Sequence, residues 1–500
     1  MRKLFILLLF SHLFITAQNF DLASISSGEH ILFTAVFDQN QKLYGYLSLY
    51  DLGKISNKEK TFEFIVLDKN LNKVLINKVN YPVEITYLKP YINIDGNLIL
   101  VPEADFYASK DFVFPKSSKL DLKTNTLEAY KFYCYEDNTF IECPENKSYR
   151  EKRKELKKAK REKEFIEDSD VWRLKNNHFL VTTIEDHFKF TKNHEVKYFD
   201  QSKKELWSFE YNKNGSKKYQ EFMSLMHYNE KKLYAVLITK KDDDYTNYLM
   251  IFDIKTGEIL KKEQVEAFDK STADRYNNSR SIYHSNENFV FLFNYLYDSK
   301  GYINGYILSK INKATNEITH HKISFSENLK KYIPKINKTG YVENGYYLNL
   351  KDVFFMENGS VNILTEKFKP EGQYNRMKTT DLVFISTNPD FQIDLVKTLE
   401  KEKSKNQYTD YMFSQEINDK KDVVFFYKDY QKNDETKDKN WILFINTLIE
   451  GTFNQEKVVI SSKNEKYITL PYIAKEGYIL MREYNEKDKY NQIRLERLNY

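Results

Sequence analysis

A 500-residue chain that is 41% hydrophobic and 16% aromatic has enough apolar material for a packed core. That excludes a disordered polymer, although 30% of its residues are charged. The 39 Tyr and 36 Phe against 3 Trp favour half-buried strand positions, and the scarcity of Gly (14) and Pro (9) leaves turns to Asn, Asp and Lys. The formal net charge of +5 gives no global drive toward nucleic acid.

The chain opens on a targeting pattern. Arg2 and Lys3 precede an apolar run from Leu4 to Phe14, and Ile15-Thr16-Ala17 offers a cleavage site before Gln18. Residues 1–17 therefore read as a signal peptide that resembles Gram-negative secretory signals. Its loss takes the net charge to +3. The mature chain is expected in the periplasm or outside the cell, with no membrane span, because no other stretch is long and apolar enough.

From Phe20 onward two signals alternate. The first is a short run, a turn, and a strongly apolar run that ends in charge. Its apolar halves begin near Ile31, Leu98, Phe179, Leu233, Phe289, Tyr346, Val423 and Tyr478. The second is a hairpin, clearest in Tyr248 to Val265, where Asp253 starts the turn and Gly257 supplies a positive φ. A four-stranded unit recurring in this order predicts an all-β fold over 18–500. The fold expected is a β-propeller of seven or eight four-stranded blades, eight fitting the count better. The last unit stops at Tyr500 without an outer strand, so a strand following Gln18 is expected to complete it.

Two features interrupt the repeat. Cys134 and Cys143 are the only cysteines, and in an oxidising compartment a bridge between them would contribute roughly 2–3 kcal/mol. Lys147 to Asp168 lacks Gly and Pro and is rich in helix formers, which predicts a short, charged, solvated helix inserted between blades. Its excess of Lys and Arg would suit an anionic lipid or glycan surface.

The hairpins Phe252 to Leu260 and Tyr198 to Phe209 resemble outer strands of PQQ-type, quinoprotein-like propeller repeats. The resemblance implies a propeller of an uncharacterised exported family. It implies no particular ligand, because the Gly-rich and Trp-bearing blade signatures are missing.

No nucleophile elbow, zincin, phosphate-loop or dinucleotide motif occurs, and no catalytic residue is assigned. His320-His321 falls in an outer hairpin. Asp242-Asp243-Asp244 fails as a calcium loop, because Asn247 stands where the sharp turn requires Gly. The remaining constellation follows from the repeat. If each apolar run is the second strand of a blade, circular symmetry gathers the strand-end groups at one mouth. These are Asp38, Glu103, Asp105, Glu185, Asp186, Asp242, Asp298, Asp352, Asp429 and Glu483, interleaved with His187, Lys240, Lys351, Lys428 and Arg482. The candidate binding set is Glu103, Asp105, Glu185, Asp186, His187, Asp352, Asp429, Arg482 and Glu483. Crowded carboxylates would recruit a divalent cation or a basic ligand group. The function expected is binding or scaffolding of a protein, peptide or glycan. The alternative is a hydrolase or lyase using carboxylates or a bound cation at that mouth.

Overall fold

The computed structural model describes residues 19–39, 41–104, 112–136, 139–143, 147–162, 168–184, 194–216, 218–242, 244–269, 282–297, 303–371, 376–406, 410–418, 422–432, 435, 439–461, 467–485 and 490–498. The signal-like segment 1–17 lies outside them. The described residues form nine antiparallel sheets, seven of four strands, one of five and one two-stranded hairpin. The larger sheets follow one another along the chain as simple meanders.

The chain divides into two compact units. The first comprises Met1–Tyr130, Glu145–Arg150 and Met412–Tyr500. It holds the first sheet (Glu29–Phe37, Leu43–Lys54, Glu59–Asp68, Lys73–Pro82) and the second (Ile85–Ile92, Leu98–Ala104, Ser118–Asp121, Thr126–Ala129). From Met412 on it also holds the seventh (Tyr411–Glu416, Val423–Lys432, Lys439–Ile449, Thr452–Ser461) and the eighth (Ile468–Ile473, Tyr478–Asn485, Tyr490–Arg497). The eighth is completed by Asn19–Asp21, which pairs antiparallel with Tyr490–Arg497, Phe20 opposite Ile493. The N-terminal segment thus supplies the outer strand that the C-terminus lacks.

Apolar layers separate consecutive sheets within this unit. Val424 and Phe426 of the seventh meet Ile479 and Met481 of the eighth. Leu480 and Ile493 of the eighth meet Phe33 and Tyr46 of the first, and Leu47 and Phe64 of the first meet Leu88 and Leu100 of the second. Leu43–Lys54 shows why its sequence is apolar almost throughout. Tyr46 and Tyr50 face one neighbouring sheet while Leu47 and Leu49 face the other, so both faces are buried.

The second unit, Lys131–Pro144 and Glu151–Tyr411, repeats the plan. It contains the third sheet (Asp168–Arg173, Phe179–Ile184, His194–Phe199, Glu205–Tyr211) and the fourth (Tyr219–Tyr228, Lys232–Lys241, Asp244–Asp253, Ile259–Asp269). The fifth (Ile282–Ser285, Phe289–Tyr297, Ile303–Asn312, Ile318–Ser324) and sixth (Tyr347–Phe355, Val361–Glu371, Arg376–Thr387, Ile393–Leu399) follow. A short fifth strand, Ser404–Asn406, pairs with Met377–Thr379 of the sixth. Cys134 and Cys143 are joined by a disulfide across the hairpin Tyr133–Glu136/Thr139–Glu142, whose Tyr135 and Phe140 pack on the third sheet. The charged insertion is helical over Tyr149–Glu162.

Turn chemistry explains how so Gly-poor a chain makes so many tight meanders. Asp68, Asp121, Asp200, Asp253, Asn312 and Asn388 each begin the turn before the fourth strand, their Oδ1 accepting backbone N–H groups of that turn. The same turns each contain one residue at positive φ: Leu71, Asn125, Lys203, Gly257, Asn316 and Phe391. Leu71 and Phe391 are poor choices for that backbone region, yet both are fully buried. Their side chains complete the apolar layer with the preceding sheet, which offsets the backbone cost.

These turns are also fastened to the preceding sheet by hydrogen bonds. The Trp207 indole donates to the Ile254 carbonyl (2.9 Å) and the Lys232 ammonium to the Lys313 carbonyl (2.5 Å). Lys310 donates to the Pro389 carbonyl and Lys475 to Asn70 Oδ1.

Two strand assignments made from sequence are corrected here. The apolar runs at Ile31 and Tyr346 are first strands of their sheets, not second ones. In the first sheet, the residues around Phe20 leave to pair with the eighth. In the sixth, the segment before Tyr347 makes a π-turn at Phe325–Leu329 and a 3-10 turn at Glu343–Gly345 instead of a strand. Asp38 and Asp352 therefore do not occupy second-strand ends. In an antiparallel meander the first strand ends at the opposite edge from the second.

Candidate functional site

Among the candidate set, Asp105, Glu185, Asp186 and His187 lie outside the described residues. Glu103 ends the second strand of the second sheet, half-buried, and its carbonyl accepts the Thr86 hydroxyl at 3.3 Å. Asp429 lies within the second strand of the seventh sheet, 9% exposed. In the first sheet the second-strand position belongs to Asp51, whose carboxylate pairs with Lys60 at 2.7 Å.

Arg482 and Glu483 are neighbours in sequence, and strand alternation sends them to opposite faces of the eighth sheet. Arg482 lies between the eighth and first sheets. It donates to Asn491 Oδ1 (2.8 Å) and the Tyr472 hydroxyl (3.3 Å), reaches His30 Nδ1 at 3.4 Å, and stacks over Tyr484 and Phe33. Burial, and then the Arg482 guanidinium, push the His30 imidazole down to about 4, so it is neutral at physiological pH. Next to it the Tyr50 hydroxyl donates to the Leu22 carbonyl at 2.6 Å, and Leu22 N–H donates to Asn491. Arg482 thus fastens the strand closure. Glu483 pairs with Arg494 at 3.3 Å on the other face.

The sixth sheet gathers the densest group of charges. A bulge in its first strand sets Leu350 opposite Thr365 and Asp352 opposite Leu364, leaving Lys351 as the extra residue. The Lys351 ammonium meets the wholly buried Glu366 at 3.2 Å. A second bulge places Lys367 against Asp381 at 2.8 Å. Beyond the fourth strand the chain returns, burying Lys401 and Asp410 in a 2.7 Å ion pair. The Asp410 carboxylate also accepts the Thr379 and Ser404 hydroxyls, and its N–H donates to Glu366. Burial pulls the Asp410 carboxyl upward, but Lys401 and the two hydroxyls outweigh it and hold it below the ordinary carboxylate value. Asp352 joins the group by accepting the Tyr411 hydroxyl. The cluster ties the return segment onto the sheet, with Lys401, Glu366 and Asp410 sealed from solvent. Sequence reasoning missed it because Thr365-Glu366-Lys367 reads as an ordinary polar strand end.

Two hydroxyl–imidazole contacts were also hidden from sequence. Ser285 Oγ lies 3.0 Å from His227 Nε2, where the first strands of the fifth and fourth sheets meet. Burial, with Lys313 and His284 nearby, lowers His227 to about 4, so its ring is neutral. Ser309 Oγ lies 2.9 Å from His320 Nδ1, and His320 Nε2 is 3.4 Å from Glu263. Ser309 is only 3% exposed, which closes that serine to a substrate. Among the described residues no group of three or more His, Cys, Asp or Glu has metal-holding geometry.

Residues 403–499 match the model of a family of unknown function, DUF6770. That span includes Ser404 and Asp410, the seventh sheet and the chain-terminal strands of the eighth. No curated protein matches the chain in sequence. Solved structures similar to it include the β-propeller domain of the Trilobed protease from Pyrococcus furiosus, at 11% identity and TM-score 0.33, covering 88% of this chain and 98% of that one. Polysaccharide lyase Uly1 is similar at 8% identity and TM-score 0.34, covering 96% and 99%. The α-L-arabinanase of Penicillium chrysogenum is similar at 10% identity and TM-score 0.28, covering 65% and 92%. Likeness at this level says nothing of what the chain binds.

Proposed function

We propose that this is an exported, eight-bladed β-propeller that binds or scaffolds a protein, peptide or glycan ligand. The observation that carries the reading is the meander repeated in strict chain order, its last sheet completed by the N-terminal strand Asn19–Asp21. A closure of this kind protects sheet edges and leaves loops and inner strands as the ligand-bearing surface. The signal-like residues 1–17 support export to the periplasm or beyond. The likeness of Phe252 to Leu260 to quinoprotein-like repeats supports the blade assignment. In this reading the ligand is expected at charged second-strand ends, for which Glu103, Asp105, Glu185, Asp186 and His187 are the candidates. A divalent cation is a candidate occupant. Arg482, Glu483 and Asp352 have internal partners and contribute through the scaffold.

The test is capture of glycans and peptides from periplasmic extract by the mature chain and by its Glu103→Gln/Asp105→Asn/Glu185→Gln/Asp186→Asn variant, with calcium and manganese titrated calorimetrically. Loss of capture in the variant supports the site. Equal capture by both chains removes it from the account.

A second reading, a hydrolase, is favoured by one contact, Ser285 Oγ to His227 Nε2 at 3.0 Å, the geometry of a nucleophile and its base. A fluorophosphonate probe should then label Ser285, with labelling abolished in Ser285→Ala and reduced in His227→Gln. An unlabelled wild-type chain rejects this reading.

A further inference from the structure

The helix Tyr149–Glu162, sequence YREKRKELKKAKRE, holds eight Lys or Arg against three Glu. Its charges are not mixed at random. At 3.6 residues per turn, Arg150, Arg153, Lys154 and Lys157 fall within an arc of about 100°. Glu151 and Glu155, spaced i, i+4, fall together on the opposite side. The same spacing continues in the sequence to Lys160 and Arg161. The result is a basic stripe uninterrupted by acid, about 10 Å long from Arg150 to Lys157. Arg153, Lys154 and Lys157 are all exposed. Lys152 and Lys158 share the glutamate side, so opposite charges mix there, while the Arg150, Arg153, Lys154 and Lys157 arc carries no acid.

We propose that this stripe is a binding site for an anionic polysaccharide, separate from the ligand site at the second-strand ends. The composition of the helix selects the partner class. A helix that lies in a lipid interface needs a large apolar face opposite its charged one, and here Tyr149, Leu156 and Ala159 are the only apolar members. A platform for single-stranded nucleic acid interleaves aromatic side chains with its basic groups. Tyr149, at the helix start, is the sole aromatic residue. What remains is a line of cations repeating about every 5 Å along the axis, suited to a linear polymer carrying regularly spaced carboxylates or sulfates. Such binding releases counterions and is strongly salt-dependent.

The experiment measures binding of the full mature chain to immobilised alginate, with neutral dextran, poly(U) and phosphatidylglycerol vesicles as parallel surfaces. The wild-type chain should bind alginate at low salt and weaken about tenfold or more as salt is raised fourfold. It should ignore dextran. The triple charge reversal Arg153→Glu/Lys154→Glu/Lys157→Glu should lose about tenfold in affinity and show a shallower salt dependence, with an unchanged circular-dichroism spectrum. The Glu103/Asp105/Glu185/Asp186 variant should bind alginate as the wild type does, which separates this site from the other. Equal alginate binding by the wild type and the triple variant overturns the proposal, as does binding to dextran. Tighter binding to poly(U) or to vesicles than to alginate overturns the polysaccharide assignment.

Discussion

Replacing Lys401 by Met keeps most of the side-chain stem and removes its charge. In the wild type the ammonium is fully buried, 2.7 Å from an Asp410 carboxylate that is 3% exposed. The variant leaves that carboxylate buried without its counter-ion, still accepting the Thr379 and Ser404 hydroxyls. Removing one partner of a buried ion pair costs about 3–5 kcal/mol, mainly because the other charge stays buried. Two hydroxyl donors remain, so the lower end of that range is expected. The Lys401→Met/Asp410→Leu double variant should recover much of the loss, since two apolar groups leave no stranded charge.

The pH dependence distinguishes this mechanism from simple loss of packing. Asp410 is held below its ordinary value in the wild type. Its contribution is therefore present at neutral pH and lost as pH falls through the folded-state value. Without Lys401, burial dominates and the carboxyl shifts upward, so acid neutralises the stranded group. The difference between wild type and Lys401→Met, measured as urea midpoints by intrinsic fluorescence, should be largest near pH 7.5 and shrink toward pH 4. A cost that is equal at both pH values, or below about 1 kcal/mol at neutral pH, refutes the reasoning.

His30 and His227 are both pushed down to about 4 and stay neutral in the folded chain, while an unfolded imidazole titrates near 6.5. As pH falls from 6.5 to about 4 the unfolded chain gains protons that the folded one refuses, and stability drops. For His30 the drop reaches at most about 3 kcal/mol, and His30→Gln should flatten melting temperature against pH in that window. Gly257→Val places a side chain at φ +73° with its Cβ 2.7 Å from the Trp207 ring. It should destabilise by about 2 kcal/mol or more and shift tryptophan emission, and an unshifted spectrum with an unchanged melting temperature would count against it. Cys134→Ser should raise hydrogen exchange in Tyr133–Glu136 and Thr139–Glu142 while leaving the eighth sheet protected. Loss of protection in both would show that the bridge supports more than its hairpin.

The sheets were legible where one sequence feature has one structural meaning. Asp253 through Gly257 reads as a turn because an Asx acceptor followed by a residue free to take positive φ has few other uses. Runs such as Phe289 to Phe293 read as doubly buried strands because nothing else tolerates so little polarity. The need for an N-terminal strand in the last sheet was legible from a missing one. Strand rank was not. Ile31 and Tyr346 begin apolar runs like the others, and only pairing shows that each heads a first strand. The positive-φ positions at Leu71 and Phe391 carry no local signal, since tertiary burial alone makes them tolerable.

The charged strand-end residues show why the candidate site was the hardest part to read. Where sheets are buried on both faces, a strand end is close to side chains of the adjoining sheet as well as to solvent. A charged residue there can serve either. Arg482 sits between two sheets and satisfies its donors on Asn491 and Tyr472. Asp51, Glu483 and Asp352 likewise have partners inside the fold. Sequence gives the same reading for a carboxylate that fastens sheets and one that awaits a ligand, because turn chemistry, intersheet ion pairing and ligand binding all favour Asp and Glu at those positions. The helix Tyr149–Glu162 escapes this ambiguity. It has no apolar stripe to bury, so the pattern of its charges is not explained by packing. A feature that the fold does not need is the better place to look for function, and the acid-free arc of Arg150, Arg153, Lys154 and Lys157 is such a feature.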